Sequence, residues 1–488
     1  MTANGITPTP PDDRLAVGPA SPTALVAAPT ILHGSALRSG LVPGATAALV
    51  LLLFINMFNY IDRQVLAAVE PAIQKTLFPN GDPHAKFWMG LLSTAFMVAF
   101  MLMAPVFGVL ADRMSRWKLM AFGVAVWSLA SGASGLASGL VVMLLTRGVV
   151  GVGEAAYGPT APAVLSDLYP VERRGSVLAY FYVAIPVGSA LGYILGGQIV
   201  AWTGDWRWAF FAVVPPGLLL ALLCLFMREP PRGLSDPLTR PHHASWRDYL
   251  IILKTPSFVL STLGQTAATF AIGGVAYWMP HYFSEGRHEG DLGTVNLVFG
   301  GIIVAAGLLS TLAGGWAGDA LRKRFPSSYF LVSGWSMLMA FPLMIGVIVA
   351  PYPWDYVLVF FTVFGMFFNT GPVNTIIANV THPAVRASAF ALVILIIHLF
   401  GDAFSPPIIG LIADAAQAAG KAAPRPSWWA DFLAGRDGLD FSFFVVSLMI
   451  AAAGVFWLWG ARHLERDTAL APTRVASHGA PAGSASMN

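Results

Sequence analysis

Gly108-Val-Leu-Ala-Asp112-Arg113-Met-Ser-Arg116-Trp-Lys118 follows one long apolar run, and Gly315-Trp-Ala-Gly-Asp319 follows another. Asp319 comes 207 positions after Asp112, and basic residues trail both. Six further positions repeat: Gly158-Pro159, Pro170, Arg173, Gly188 and Gly197 return as Gly371-Pro372, Pro383, Arg386, Gly401 and Gly410, each 213 positions later. A constant offset over six positions marks a duplicated chain. Two parallel repeats around a midplane site are an architecture of secondary transporters.

Composition says what surrounds these repeats. Of 488 residues, 56% are hydrophobic and 11% charged, against about 25% charged in soluble domains. Runs of about 20 apolar residues recur, each long enough to cross a hydrocarbon core of about 30 Å. Short segments of alternating polarity, the mark of barrel strands, are absent. The expected fold is an all-α membrane protein with twelve transmembrane helices in two parallel six-helix repeats. The spans read as 45–76, 87–110, 117–138, 140–165, 175–201, 208–227, 256–283, 294–318, 328–350, 354–379, 387–415 and 440–463.

The domain reading is an N-terminal tail over 1–44, a six-helix bundle over 45–227, a polar linker over 228–255, a second bundle over 256–464 and a C-terminal tail over 465–488. Both tails read as disordered. With both termini cytoplasmic, loops on that side carry 19 of the 28 Lys and Arg residues and the outer loops carry 7. The positive-inside rule favours this orientation, in a plasma (inner) membrane. Trp202, Trp206 and Trp208 fall at one outer interface, as an aromatic belt does. The basic residues sort by loop rather than onto a soluble face, so nucleic acid is not an expected partner. The expected surroundings are the lipid bilayer, and the expected form is a monomer. The single cysteine, Cys224, supports neither a disulfide framework nor a metal site.

Four charges interrupt the apolar runs. Asp62 and Arg63 lie in the first, and Arg147 and Glu154 in the fourth. Each costs about 2.5–3.5 kcal/mol at the bilayer centre on insertion scales. Arg147 and Glu154 are nearly two turns apart and share a helix face. Asp62 and Arg63 point about 100° apart. A carboxylate at low dielectric beside an arginine can take a proton from one side and release it on the other. Glu154 is the first candidate for proton coupling and Asp62 the second. The competing reading is a static pair of salt bridges locking spans one and four. Arg63 and Arg147 cannot lose their charge, so they hold the acids or bind an anionic head group. His398 and Asp402 lie four apart near the middle of span eleven, as a second titratable site or a polar packing pair. Tyr60, Tyr157 and Asn369 line a midplane cavity on this reading, or pack between helices. Gly188, Gly192 and Gly196 read as a close-packing face. Sequence motifs of nucleotide cradles, nucleophile–base pairs and metal clusters are absent, so gradient-driven transport without a cofactor is expected and enzymatic activity is not.

The Gly108–Lys118 loop and its partner at Asp319 resemble the signature loops of the major facilitator superfamily, and the resemblance covers residues 45–465. It implies alternating access between two six-helix bundles. It also implies an inner gate in which Gly108, Asp112, Arg113, Arg116 and Asp319 close against span eleven. Asn59-Tyr60-Ile61-Asp62-Arg63, Gly151-Val-Gly153-Glu154-Ala155-Ala156-Tyr157 and Phe181-Tyr182-Val-Ala-Ile185-Pro186-Val187-Gly188-Ser189-Ala-Leu-Gly192-Tyr193-Ile194 resemble the spinster-like branch. That branch implies a lysophospholipid- or sphingolipid-like substrate with protons. The same four charges recur in the organic-anion/proton symporter branch, which implies sugar acids and related carboxylates. Span five lacks the Gly-Pro of the antiporter signature. A receptor or scaffold built on the same fold is a further alternative, against which the intact charge set stands.

Overall fold

The computed structural model describes residues 44–230, 246–382, 385–423 and 427–474. The expected N-terminal tail, the middle of the linker and the end of the chain lie outside these residues. Every sequence-predicted span is helical. The first half holds α1 (Ala45–Leu77), α2 (Ala85–Arg113), α3 (Arg116–Gly135), α4 (Leu140–Ala155), α5 (Thr160–Leu168), α6 (Val171–Thr203) and α7 (Arg207–Leu225). After α8 (Trp246–Leu253), the second half holds α9 (Pro256–His281), α10 (Leu292–Arg322), α11 (Ser328–Val349), α12 (Trp354–Phe367), α13 (Thr370–Val380), α14 (Arg386–Ile397), α15 (Ser405–Ala422), α16 (Trp428–Ala434), α17 (Leu439–Gly460) and α18 (Leu464–Leu470).

Eleven helical segments among the described residues are long and apolar enough to cross a membrane. The twelfth pass, α3, is less apolar because Ser128, Ser131, Gly132, Ser134 and Gly135 fill its second half. Three passes are broken where the sequence reads as continuous. Ala156–Pro159 separates α4 from α5, and Phe368-Asn369 separates α12 from α13. Pro159 and its repeat mate Pro372 supply the reason, since proline lacks the amide that continues a helix. The third break is a π-helical turn, His398–Asp402, between α14 and α15. Its Ala403 N–H donates to His398 O at 3.1 Å.

Two boundaries move. Part of the linker is helical, as α8. Residues 465–474, read as the start of the C-terminal tail, belong to the fold, because α18 packs against the start of α9: Ser257 N–H donates to Asp467 Oδ2 at 2.9 Å, and Arg474 Nη2 meets Asp467 Oδ1 at 2.7 Å.

The repeat explains how the halves meet. α6 packs along α10, and α2 packs along α15. The duplication maps the second pass onto the eighth and the fifth onto the eleventh, so these two interfaces are copies of each other. At each, a helix backbone approaches too closely for a side chain. A Cβ on Gly197 of α6 would lie 2.8 Å from Leu292 O, at the start of α10. A Cβ on its mate Gly410 of α15 would lie 2.9 Å from Phe87 N, at the start of α2. This glycine appears twice because the interface does. Within the first half, Gly192 packs on α1, where its Cβ would meet Ile61 O at 2.6 Å. The glycine face is therefore a packing face.

Bonds between the halves gather at the end that carries the α1–α2 turn. Phe87 N–H donates to Asp414 Oδ2 at 3.1 Å, and Asn296 Nδ2 to Ala68 O at 2.9 Å. Thr94 Oγ1 donates to Ala403 O at 2.6 Å, and Tyr277 OH to Met89 O at 2.5 Å. These bonds seal the molecule at that end. At the opposite end, a Cβ on Gly108 or Gly315 would meet nothing within 4 Å.

The rim of the sealed end contains a buried charge cluster. Arg287 Nε donates to Glu289 and lies 3.0 Å from Asp355 Oδ2, while its Nη1 donates to Val347 O at 3.1 Å. Glu289 sits in the loop between α9 and α10. Burial, reinforced by Asp355 and opposed by Arg287, pushes its carboxyl up to about 7. The folded state thus favours the protonated acid. Its contribution to stability is full below the ordinary carboxyl range and is lost as pH rises through about 7. Glu289→Gln is neutral at every pH. The native protein is expected to lose about 1–2 kcal/mol more than this variant between pH 5 and pH 8, read by thermal unfolding at both values. An equal slope in the variant assigns the titration to another group.

Candidate functional site

The four intramembrane charges meet, but crosswise. Arg63 of α1 pairs with Glu154 of α4, with Nε donating to Oε2 at 2.8 Å and Nη2 at 2.7 Å from the same oxygen. Arg147 of α4 lies 3.6 Å from Asp62 Oδ2 of α1. Seven residues of helix separate Arg147 from Glu154 by about 10.5 Å along α4. Each therefore needs its own partner, and the adjacent residues Asp62 and Arg63 supply them. Ser131 of α3 donates its hydroxyl to Asp62 Oδ1 and accepts from Arg147 Nη2 at 3.4 Å. The less apolar α3 thus brings a serine to the buried pair.

The arginines and acids differ in what they face. Arg63 and Arg147 line a central cavity of about 270 Å³, whereas Asp62 and Glu154 lie behind them. Glu154 is fully buried, and the Arg63 side chain is 20% exposed. Glu154 Oε1 and Asp62 Oδ2 have no hydrogen-bond partner among the described residues. The Arg63 guanidinium lies 4.8 Å from the Phe96 ring centre and 5.0 Å from that of Tyr60. These aromatic faces give the cation partial compensation where water is scarce.

The second half contributes a smaller polar group. The π-helical turn carries His398 and Asp402 into the cavity wall, with His398 Nδ1 3.0 Å from both Asp402 oxygens. The remaining wall is largely aromatic and aliphatic. Tyr193, Tyr277, Met366 and Phe367 belong to it, as do Gln64 and Thr269. Sequence reasoning missed Tyr193, Tyr277, Met366, Gln64 and Thr269, because an apolar or weakly polar side chain in a span carries no sign of whether it faces lipid, core or cavity.

Tyr60, Arg63, Arg147, His398 and Asp402 thus line one cavity. Two expected lining residues do not. Tyr157 lies 3% exposed in the first-half core and donates its hydroxyl to Leu52 O at 2.7 Å. The break after α4 turns it towards α1. Asn369 donates to Met366 O at 2.7 Å and fastens the break between α12 and α13. Both serve the helix breaks rather than the cavity wall.

The residues expected to form a gate separate into two kinds. Asp112 and Arg113 are exposed at the end opposite the sealed one, beside Gly108. Asp319 accepts from Tyr329 OH at 2.8 Å. Arg116 is buried inside the first half, where Nε meets Glu229 Oε1 at 2.7 Å, Nη1 meets Asp167 Oδ2 at 2.5 Å and Nη2 donates to Pro230 O at 3.1 Å. It clasps the starts and ends of α3, α5 and α7 to one another, and so departs from the expected contact with span eleven.

The sequence profile of the Major Facilitator Superfamily matches residues 52–406. Protein spinster homolog 1 of Homo sapiens is 37% identical over 458 residues, covering 88% of this chain and 83% of the human protein. Protein spinster homolog 3 of Homo sapiens is 35% identical over 449 residues, covering 87% of this chain and 84% of that protein. Among solved structures, a bacterial homolog to the human lysosomal transporter Spinster, inward-facing and unoccupied, superposes with a TM-score of 0.75 at 22% identity, over 88% of this chain and 99% of that one. A D-xylose-proton symporter shares the fold with a TM-score of 0.65 at 19% identity, over 84% of this chain and 96% of that one. The duplicated signature loops, the twelve helical passes and the matched sequences agree: the chain belongs to the Major Facilitator Superfamily and, within it, to the spinster family of transporters.

Proposed function

We propose that this protein is a proton-coupled transporter working by alternating access, and that it moves an amphipathic anionic or zwitterionic, lipid-like substrate. The observation that carries this reading is the order of charges around the cavity. Two arginines face the substrate and two buried carboxylates stand behind them. An anionic head group that binds Arg63 or Arg147 competes with Glu154 or Asp62 for the same guanidinium. The displaced carboxylate is then a buried unpaired charge, which protonation relieves. Proton and substrate are thereby linked through one arginine. His398 and Asp402, on the opposite wall, offer a negative partner to a zwitterion's cation. Aromatic walls suit an apolar body, which has room to extend towards the open end. On the positive-inside orientation the open end is cytoplasmic, both termini are cytoplasmic and the cavity faces inward.

A cavity of about 270 Å³ sits just below the usual range of about 300–1,000 Å³ for small-molecule sites. That size favours a second reading, a proton-coupled symporter of sugar acids or related carboxylates. Purified protein in liposomes with an internal pH dye separates the two. Lysophospholipid-dependent proton movement is the expected result. A response to the sugar-acid panel alone moves the protein to the organic-anion reading, with Arg63 as the carboxylate clamp.

A further inference from the structure

Transport through the cavity requires the sealed end to open in turn, so whatever locks that end is part of the cycle. Among the described residues, two contacts there bury ionisable groups between the halves. Asp414 of α15 accepts from Phe87 N–H and lies 3.8 Å from Lys86 Nζ of α2. The other joins an acid to a histidine. Glu70 of α1 and His281 of α9 meet across the two halves, with His281 Nδ1 2.6 Å from Glu70 Oε2. Glu70 is fully buried and the His281 side chain is 4% exposed. A buried acid held by a group that can itself gain and lose a proton is an unstable choice for a purely static joint. Well-packed apolar residues of similar volume serve that purpose equally well.

Three details bear on proton exchange. Glu70 Oε1, His281 Nε2 and the nearby Gln74 Oε1 have no hydrogen-bond partner among the described residues. The unused His281 nitrogen belongs to a side chain that lines a separate cavity of about 150 Å³ near the rim, together with Gln74, Lys75, Glu285 and Asp437. This cavity does not share a lining residue with the central one. A proton therefore has a place to arrive at His281 from the sealed side, independently of the Arg63–Glu154 pair.

We propose that Glu70 and His281 form a second proton-binding site, which latches the sealed end when protonated and releases it when deprotonated. With the imidazolium form, the bond to Glu70 is charge-assisted, roughly twice as strong as a neutral one. Loss of the proton leaves the Glu70 carboxylate buried against a neutral ring, and separation of α1 from α9 then lets water reach it. Opening at this end accordingly increases as pH rises and the pair loses its proton. The other charged and titratable groups facing the pair are Lys75 on α1, Tyr277 on α9, Glu285 in the turn after α9, and Asp437 before α17. Lys75 and Glu285 neutralise each other at 2.7 Å, and Asp437 accepts from Gln417 Nε2 at 2.8 Å. Trp278 closes one side of the His281 ring, with centroids 5.7 Å apart.

Spin labels at Asn80 and Lys421, both exposed at the sealed end in opposite halves, report opening in a Cys224→Ser background without any substrate. The ratio of long to short distances in the native protein is expected to rise about fivefold or more from pH 6 to pH 8.5. His281→Asn keeps a neutral amide near the position of Nδ1 and is expected to abolish that dependence. Glu154→Gln and Asp62→Asn are expected to retain it, which separates this site from the proposed coupling pair. Glu70→Gln gives an independent reading and is expected to reduce the change below about twofold. Flat behaviour in the native protein overturns the proposal, as does a full pH response in either His281→Asn or Glu70→Gln.

Discussion

Arg147→Met should cost the protein about 3–5 kcal/mol of stability, the loss typical when one partner of a buried ion pair is removed. The cost comes from what stays behind. Asp62 is 2% exposed, and its Oδ2 already lacks a hydrogen-bond partner among the described residues. With Arg147 gone, the Ser131 hydroxyl remains as its hydrogen-bond donor. The double variant Asp62→Asn/Arg147→Met removes both charges and should recover most of the loss, because replacing a whole buried pair is often neutral or stabilising. Unfolding in mixed micelles measures both variants. Transport should remain impaired in the double variant, since Arg147 also lines the cavity. Stability recovered without activity would show that the pair is kept for function rather than for the fold. A single variant as stable as the native protein would mean that Asp62 is neutral at rest and Arg147 is held by other groups.

The sequence made the duplication legible because it is a symmetry of the chain. The matched Gly197 and Gly410 recur where the two inter-half interfaces bring helix backbones together, and a linear offset suffices to find them. Spans are equally legible, since lipid demands long apolar helices in every state of the molecule. Pairing is a different matter. That Arg63 joins Glu154, and Arg147 joins Asp62, depends on how α1 is rotated against α4, which periodicity within one helix does not contain. The turn at His398–Asp402 is hidden for a related reason: one extra residue in a helix leaves the apolar pattern unbroken while re-aiming the side chains. Tyr157 and Asn369 were misplaced because a polar group near a helix break has backbone carbonyls within reach, and it uses them. Glu70 and His281 stand 211 residues apart and carry no spacing signal at all. Their relation exists only through the packing of α1 on α9.

Glu154→Gln should uncouple protons from substrate while leaving substrate exchange intact. A pH difference of one unit is worth about 1.4 kcal/mol per proton, enough for about tenfold accumulation by a coupled carrier at one proton per substrate. The native protein should approach that ratio, and the variant should stop near equal concentrations. Counterflow, which needs binding and reorientation but no proton gradient, should run at a similar rate in both. The distinction follows from the geometry. Glutamine keeps an oxygen where Glu154 Oε2 accepts from Arg63 at 2.8 Å, so the guanidinium stays placed against the Phe96 and Tyr60 rings. Arg63 also retains access to the cavity, where water and substrate can solvate the charge that loses its counter-ion. What the variant lacks is a site that binds a proton when the substrate takes the arginine. If accumulation persists in Glu154→Gln and vanishes in Asp62→Asn, coupling runs through the Arg147 pair instead, and the two crossed bridges exchange roles. If both single variants accumulate substrate as well as the native protein, the carboxylates are structural counter-ions and the driving force lies outside the crossed pairs.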